Sequence, residues 1–204
     1  MAVRKLQRAA GRRATVARKT KETDIELTLV VDGRGRYEVE TGIPFLNHML
    51  ELFTRHGFFD LTVRARGDID VDYHHTVEDV GLTLGQAVRD ALGEKSGIRR
   101  FGEASVPLDE ALVTTVVDLS GRPFFVYDVK IEQAKIGAFD VELIHDFLLA
   151  MTNQAAMNLH VRMASGRNPH HIVEATFKSL ARALDLATQR DPRVAGVLST
   201  KGIL

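Results

Sequence analysis

The chain has no cysteine among its 204 residues. That excludes a disulfide framework, a thiolate metal site and a thiol nucleophile, so any metal must be held by nitrogen and oxygen. Net charge is also missing. Lys and Arg total 27, as do Asp and Glu, so no global field draws in nucleic acid or a membrane surface. No run of about 18 apolar residues is available to cross a bilayer, and no apolar signal-peptide core stands at the N-terminus. A cytoplasmic protein without nucleic-acid or membrane partners is the expectation. The rest is ordinary for a globular chain: 45% hydrophobic, 26% charged, and long enough for one large domain or two small ones.

Charge is unevenly spread. Arg4, Lys5, Arg8, Arg12, Arg13, Arg18, Lys19 and Lys21 all precede the first acid, Glu22. A nucleic-acid arm or a transit peptide has this composition. The segment carries no aromatics to stack on bases, so residues 1–20 read instead as a solvated, partly disordered basic arm whose end joins the first strand.

Beyond the arm, the patterning repeats. Ile25 to Val31 alternates as a strand. DGRG reads as a hairpin turn, with Arg36 to Glu40 returning as the second strand. Phe45 to His56 has helical spacing, stopped by Gly57. Leu61 to Ala65 alternates again, and a helix then opens at His74 with Val77, Val80, Leu84, Val88 and Ala91 on one face. The second half reruns the order: strands over Leu112–Leu119 and Phe124–Val129, a helix over Val141–Met157, a strand over Leu159–Met163, and a helix from His170 that ends near Asp191-Pro192. The two final helices open on the same motif, His-His-x-x-Glu, at one offset: 170 − 74 = 174 − 78 = 96. A duplicated β-β-α-β-α unit is expected, residues 21–103 and 104–204. The fold class is α+β, with four long helices sandwiched between two sheets.

On a helix, i and i+4 share a face, as do i and i+3. His74 and Glu78 therefore reach one point, while His75 and Glu78 reach a neighbouring one. Adjacent side chains diverge by about 100°, so each histidine pair suits two different ions unless the loop turns the first imidazole freely. Imidazole with carboxylate and no sulfur suits Mn, Fe, Zn or Ni. His48 and His145, in the preceding helices, extend the two sets to His48, His74, His75, Glu78 and His145, His170, His171, Glu174. Arg100, Arg122, Ser199 and Lys201 stand beside turns, the setting of phosphate holders. Lys178, one turn beyond Glu174, either polarises a substrate and relays protons or simply pairs with Glu174. A dinuclear phosphoester hydrolase and a metal-storage protein are the rival readings of these residues.

Together TGIPFLNHMLELFTRHG, HHTVEDVGLTLGQA, RFGEASVPLDEAL, DLSGRPFF, HHIVEATFKSLARAL and STKG resemble the imidazoleglycerol-phosphate dehydratase family, from about Arg18 to Leu204. The resemblance implies removal of water from imidazole glycerol phosphate to give imidazole acetol phosphate, in histidine biosynthesis. It implies two halves of the ribosomal protein S5 domain 2-like type. Two Mn²⁺ ions per subunit are implied too, along with a large homo-oligomer of cubic symmetry whose active sites lie between subunits. It places His48, His74, His75, Glu78, His170, His171 and Glu174 at metal positions. Glu22, His56, Lys178 and Asp109 fall at substrate or proton-transfer positions, and Arg100, Arg122, Ser199 and Lys201 at the phosphate. The chain departs from the pattern twice. Asp146 stands where many members have a histidine, with His145 beside it, so either side chain is the expected ligand. Leu52 stands where members often carry a glutamine near the substrate, a loss of about 1 kcal/mol for one hydrogen bond.

Overall fold

The computed structural model describes residues 11–204; residues 1–10 of the basic arm lie outside the described residues. Among the described residues, ten strands form three sheets and four helices pack with them. The first sheet holds β1 (Arg13–Lys19), β2 (Thr23–Val30), β3 (Tyr37–Glu40) and β4 (Asp60–Gly67) in the order β1-β2-β4-β3. The second holds β5 (Phe101–Leu108), β6 (Ala111–Asp118), β7 (Phe124–Asp128) and β10 (Asn158–Ser165) in the order β5-β6-β10-β7. The short β8 (Lys135–Ile136) and β9 (Phe139–Asp140) form a separate ribbon. The helices are α1 (Pro44–Gly57), α2 (His74–Leu92), α3 (Leu143–Ala155) and α4 (Pro169–Thr188).

The two four-stranded sheets have the same topology, and the expected α+β tandem repeat is present. Each half carries one more strand at its start than the sequence pattern suggests. β1 and β5 were missed because their alternation is carried by small and charged residues, as in RATVARK, whose burial alternates only between exposed and half-buried. The hairpin expected at DGRG does not form. β4 lies between β2 and β3, antiparallel to β2 and parallel to β3. The turn does reverse the chain, but turn chemistry fixes direction and not the neighbour. Asp60 at the head of β4 holds the loop, accepting the backbone N–H groups of Arg34 (2.8 Å) and Arg36 (3.0 Å).

The core lies between the sheets and is filled by the helices. In β2, Ile25, Leu27 and Leu29 turn inward while Asp24 and Glu26 face out, the period-two pattern of a sheet with one wet face. α2 packs on β1 and β2, α4 on β5 and β6, and the helices then pair across the repeats, α2 with α3 and α1 with α4. The α2–α3 pair approaches through Gly81 and Gly85. A Cβ at Gly85 would stand 2.3 Å from the Met151 carbonyl oxygen, and one at Gly81 would stand 2.6 Å from that of Phe147. Because the obstacle is backbone, the helices must separate to admit a side chain. Gly85→Val should therefore lower stability by about 1–3 kcal/mol, or roughly 3–10 °C in Tm, measured by thermal denaturation. Wild-type Tm in this variant would mean that the helices are not so close.

Candidate active site

Both histidine pairs sit in the first turn of a helix, where backbone N–H groups lack intrahelical partners. Asp72, just ahead of α2, accepts the His74 N–H at 2.7 Å, and Asn168, the N-cap of α4, accepts the His170 N–H at 3.0 Å. Pro169 occupies the first helical position of α4, where its fixed φ suits the start.

Cross-repeat helix pairing then builds two centres. At the first, α1 and α4 bring His48, His170 and Glu174 together. Glu174 Oε1 accepts from His48 Nε2 (2.9 Å) and His170 Nε2 (2.8 Å), and Oε2 accepts from Lys178 Nζ (2.7 Å). Three potential ligand atoms lie within 4.8 Å of one another. Burial opposes ionisation of Glu174, but Lys178, His48 and His170 outweigh it and hold its carboxyl down at about 2. His56 lies nearby; burial, then the charges of Lys178 and Arg182, lower its pKa, leaving the imidazole neutral at pH 7. Lys178 is ion-paired with Glu174.

At the second centre, α2 and α3 bring His74, Glu78 and Asp146 together. His74 Nε2 lies 3.8 Å from Glu78 and its Nδ1 lies 3.5 Å from Asp146. Asp146 stands in α3 where His48 stands in α1, nine residues ahead of the helix's last residue in both (57 − 48 and 155 − 146). His145 turns aside. Its ring packs against Phe125 and Tyr127, with centroids 5.4 and 5.6 Å away, and its Nδ1 lies 3.1 Å from Asp146.

The second histidine of each pair stands apart from both centres. His75 Nδ1 is bound to Asp68 (3.0 Å) and His171 Nδ1 to Glu110 (2.8 Å), with Asp109 3.9 Å from His171 Nε2. These hydrogen bonds raise the pKa of both imidazoles and hold Glu110 down at about 2. Each bond leaves Nε2 as the outward nitrogen. Asp68 and Glu110 were not singled out in the sequence. Spacing gives no sign of them, because only the strand ends bring them beside the histidines.

Arg100, Arg122, Ser199 and Lys201 meet at one cavity of about 920 Å³, shared with Ser120 and Arg193. Arg100 is committed to Asp118 (2.7 and 3.0 Å) and to the Leu198 carbonyl (2.8 Å), so it shapes the cavity while Arg122 and Lys201 supply cationic charge. Arg193 was missed because its sequence context, DPRV, reads as a helix end. Leu52 is half-buried against the core. Glu22 sits in the turn between β1 and β2, its N–H bound to Thr20 Oγ1 (3.1 Å).

The fold is a duplicated α+β one, with carboxylate–imidazole clusters at the helix pairs between its repeats and a cavity lined by Arg122, Lys201 and Arg193. The imidazoleglycerol-phosphate dehydratase family matches residues 41–184. Curated proteins of that name from Geobacter metallireducens and Geobacillus sp. (strain WCH70) are each 58% identical over 95% of this chain, and the chain covers 100% and 99% of them. A crystal structure of the dehydratase from Staphylococcus aureus subsp. aureus N315 has TM-score 0.80 at 34% identity, covering 88% of this chain and 99% of that one. One from Pyrococcus furiosus has TM-score 0.81 at 40% identity, covering 93% and 100%. The chain belongs to the imidazoleglycerol-phosphate dehydratase family, and it is a hydro-lyase. Among the described residues, no helix is long and apolar enough to cross a membrane.

Proposed function

We propose that the chain removes water from imidazole glycerol phosphate to give imidazole acetol phosphate, a cytoplasmic step of histidine biosynthesis, and that it does so as a manganese enzyme with two ions per subunit. The observation that carries this reading is Glu174, one ionised carboxylate shared by His48, His170 and Lys178. The donors are all nitrogen and oxygen, which fits Mn²⁺. His48, His170 and Glu174 would hold one ion, and His74, Glu78 and Asp146 the other. Bound there, the metal would supply Lewis acidity and a template for the imidazole ring.

Around those ions, the chain's own groups place the substrate and move protons. Arg122, Ser199 and Lys201 bind the phosphate as charge-assisted donors, with Arg100 held in place by Asp118. The reaction breaks one C–H and one C–O bond, and the enol tautomerises to the ketone. Glu22 takes the C–H proton. Neutral His56 and the Lys178 ammonium, beside Glu174, serve the departing hydroxyl and the tautomerisation. Neither centre gathers more than three donors from one chain. His75 and His171, held apart by Asp68 and Glu110, are the donors available to a neighbouring copy, which supports a homo-oligomer with sites between subunits, of the cubic symmetry that the family resemblance implies.

The test is an assay of metal-stripped protein with imidazole glycerol phosphate, with and without Mn²⁺, following ketone formation. Ketone that depends on manganese is expected; release of inorganic phosphate instead would replace the reading with a hydrolase. Asp146→Ala should weaken binding of the second ion by more than ~10-fold in equilibrium dialysis, and His145→Ala should leave it within threefold. The reverse pattern would make His145 the ligand.

A further inference from the structure

The two repeats can be compared residue by residue through their strands. Thr23 opens β2 and Ala111 opens β6, so Glu22 and Glu110 occupy matching positions, each the residue before its strand. Asp68 and Arg167 match in turn: β4 sets Gly67 opposite Thr23, a bulge in β10 sets Ser165 opposite Leu112, and a Cβ at Gly67 or Gly166 would meet the matched helix residues Thr76 and Ile172. His75 and His171 are the second histidine of each pair.

At these matched positions the second repeat spends Glu110 on its histidine. Glu110 Oε2 takes His171 Nδ1 at 2.8 Å, while Oε1 accepts the N–H groups of Asn168 (2.7 Å) and Arg167 (3.2 Å). The residue that matches Asp68 in the second repeat is Arg167, whose guanidinium carries no acceptor for an imidazole N–H. In the first repeat Asp68 holds His75 Nδ1 at 3.0 Å, and among the described residues no group donates to the Glu22 carboxylate.

The first repeat also fixes the backbone of Glu22 with a polar strut that the second lacks. Arg18 pairs with the buried Asp79 (2.8 Å), which accepts from the Thr23 hydroxyl. Thr23 meets the Thr20 hydroxyl (3.1 Å), which accepts the Glu22 N–H, and the Glu22 carbonyl accepts the Asp68 N–H (3.1 Å). Arg18, Thr23 and Asp79 are matched in the second repeat by Val106, Ala111 and Ala175. The backbone of Glu22 is held while its side chain is left uncommitted.

We propose that Asp68 is a positioning residue that relieves Glu22 of anchoring His75, so that Glu22, unlike Glu110, keeps a carboxylate available for proton transfer. The proposal rests on the reading of Glu22 as the proton-transfer group. The test is Asp68→Gly, compared with Asp68→Asn, by crystal structure without metal and by steady-state kinetics. In Asp68→Gly, Glu22 is expected within hydrogen-bond distance of His75 Nδ1, as Glu110 is of His171. Its kcat falls by about 100-fold or more with KM within threefold, the scale of a lost general base. Asp68→Asn keeps an amide oxygen that accepts from His75, and it restores most of kcat. Glu22 standing clear of His75 in the Asp68→Gly structure would overturn the proposal, as would Asp68→Asn being as slow as Asp68→Gly. Near-normal turnover by Glu22→Gln would instead fail the reading of Glu22; which carboxylate anchors His75 would still be decided by the Asp68→Gly structure.

Discussion

Glu174→Gln should lose manganese-dependent turnover by at least ~1000-fold, the largest effect expected of any single change in this chain. Glu174 is the point where α1 and α4 meet chemically, accepting from His48, His170 and Lys178 at 2.7 to 2.9 Å. Glutamine keeps the shape but removes the charge and points an amide N–H₂ at groups that are themselves donors. It would weaken the proposed first metal site, since an amide is a poor substitute for a carboxylate on a hard cation. It also leaves the Lys178 ammonium, only 15% exposed, without its counter-charge, a destabilisation of about 1–3 kcal/mol for a charged group losing its partner. Manganese stoichiometry by equilibrium dialysis, beside turnover and Tm, checks each part. Full turnover with two ions still bound would remove Glu174 from the centre.

The second large effect is expected at a residue that touches neither centre in this chain. Glu22→Gln should cut turnover by about 100- to 10,000-fold, the range for removing a general base, while manganese binding stays within threefold. The two effects are separable because Glu22 is not a member of either ligand cluster, and because its turn is held by the Thr20, Thr23 and Asp79 strut rather than by its own carboxylate. A fall in metal affinity equal to the fall in turnover would make Glu22 a ligand. Unchanged turnover would leave proton transfer to His56 and Lys178.

The contrast between these residues shows what could be read in advance. Glu174 and Glu78 were legible because helix periodicity places i and i+4 on one face, so His-His-x-x-Glu announces its chemistry without any tertiary information. The repeat was legible for the same reason, through the shared motif and the shared order of elements. The edge strands β1 and β5 were not, because their exposed faces carry no strong apolar alternation. Nor was the insertion of β4 between β2 and β3, since it is the crossover through α1 that lets β3 and β4 pair side by side and parallel. Asp68 and Glu110 were invisible because their role depends on which strand end lies beside which helix start.

The sequence by itself determined the duplicated unit, the two histidine–glutamate motifs, a nitrogen-and-oxygen donor set without sulfur, and the cationic turns around Arg100, Arg122 and Lys201. All of these are local patterns, fixed by helix and strand periods and by side-chain chemistry. The tertiary structure decided the partnerships. It paired helices across the repeats, so that His48 serves Glu174 and Asp146 serves His74, and it turned His145 into an aromatic niche. It also gave His75 to Asp68 and His171 to Glu110. Those choices follow from packing four helices between two sheets, with α2 and α3 brought into close approach at Gly81 and Gly85.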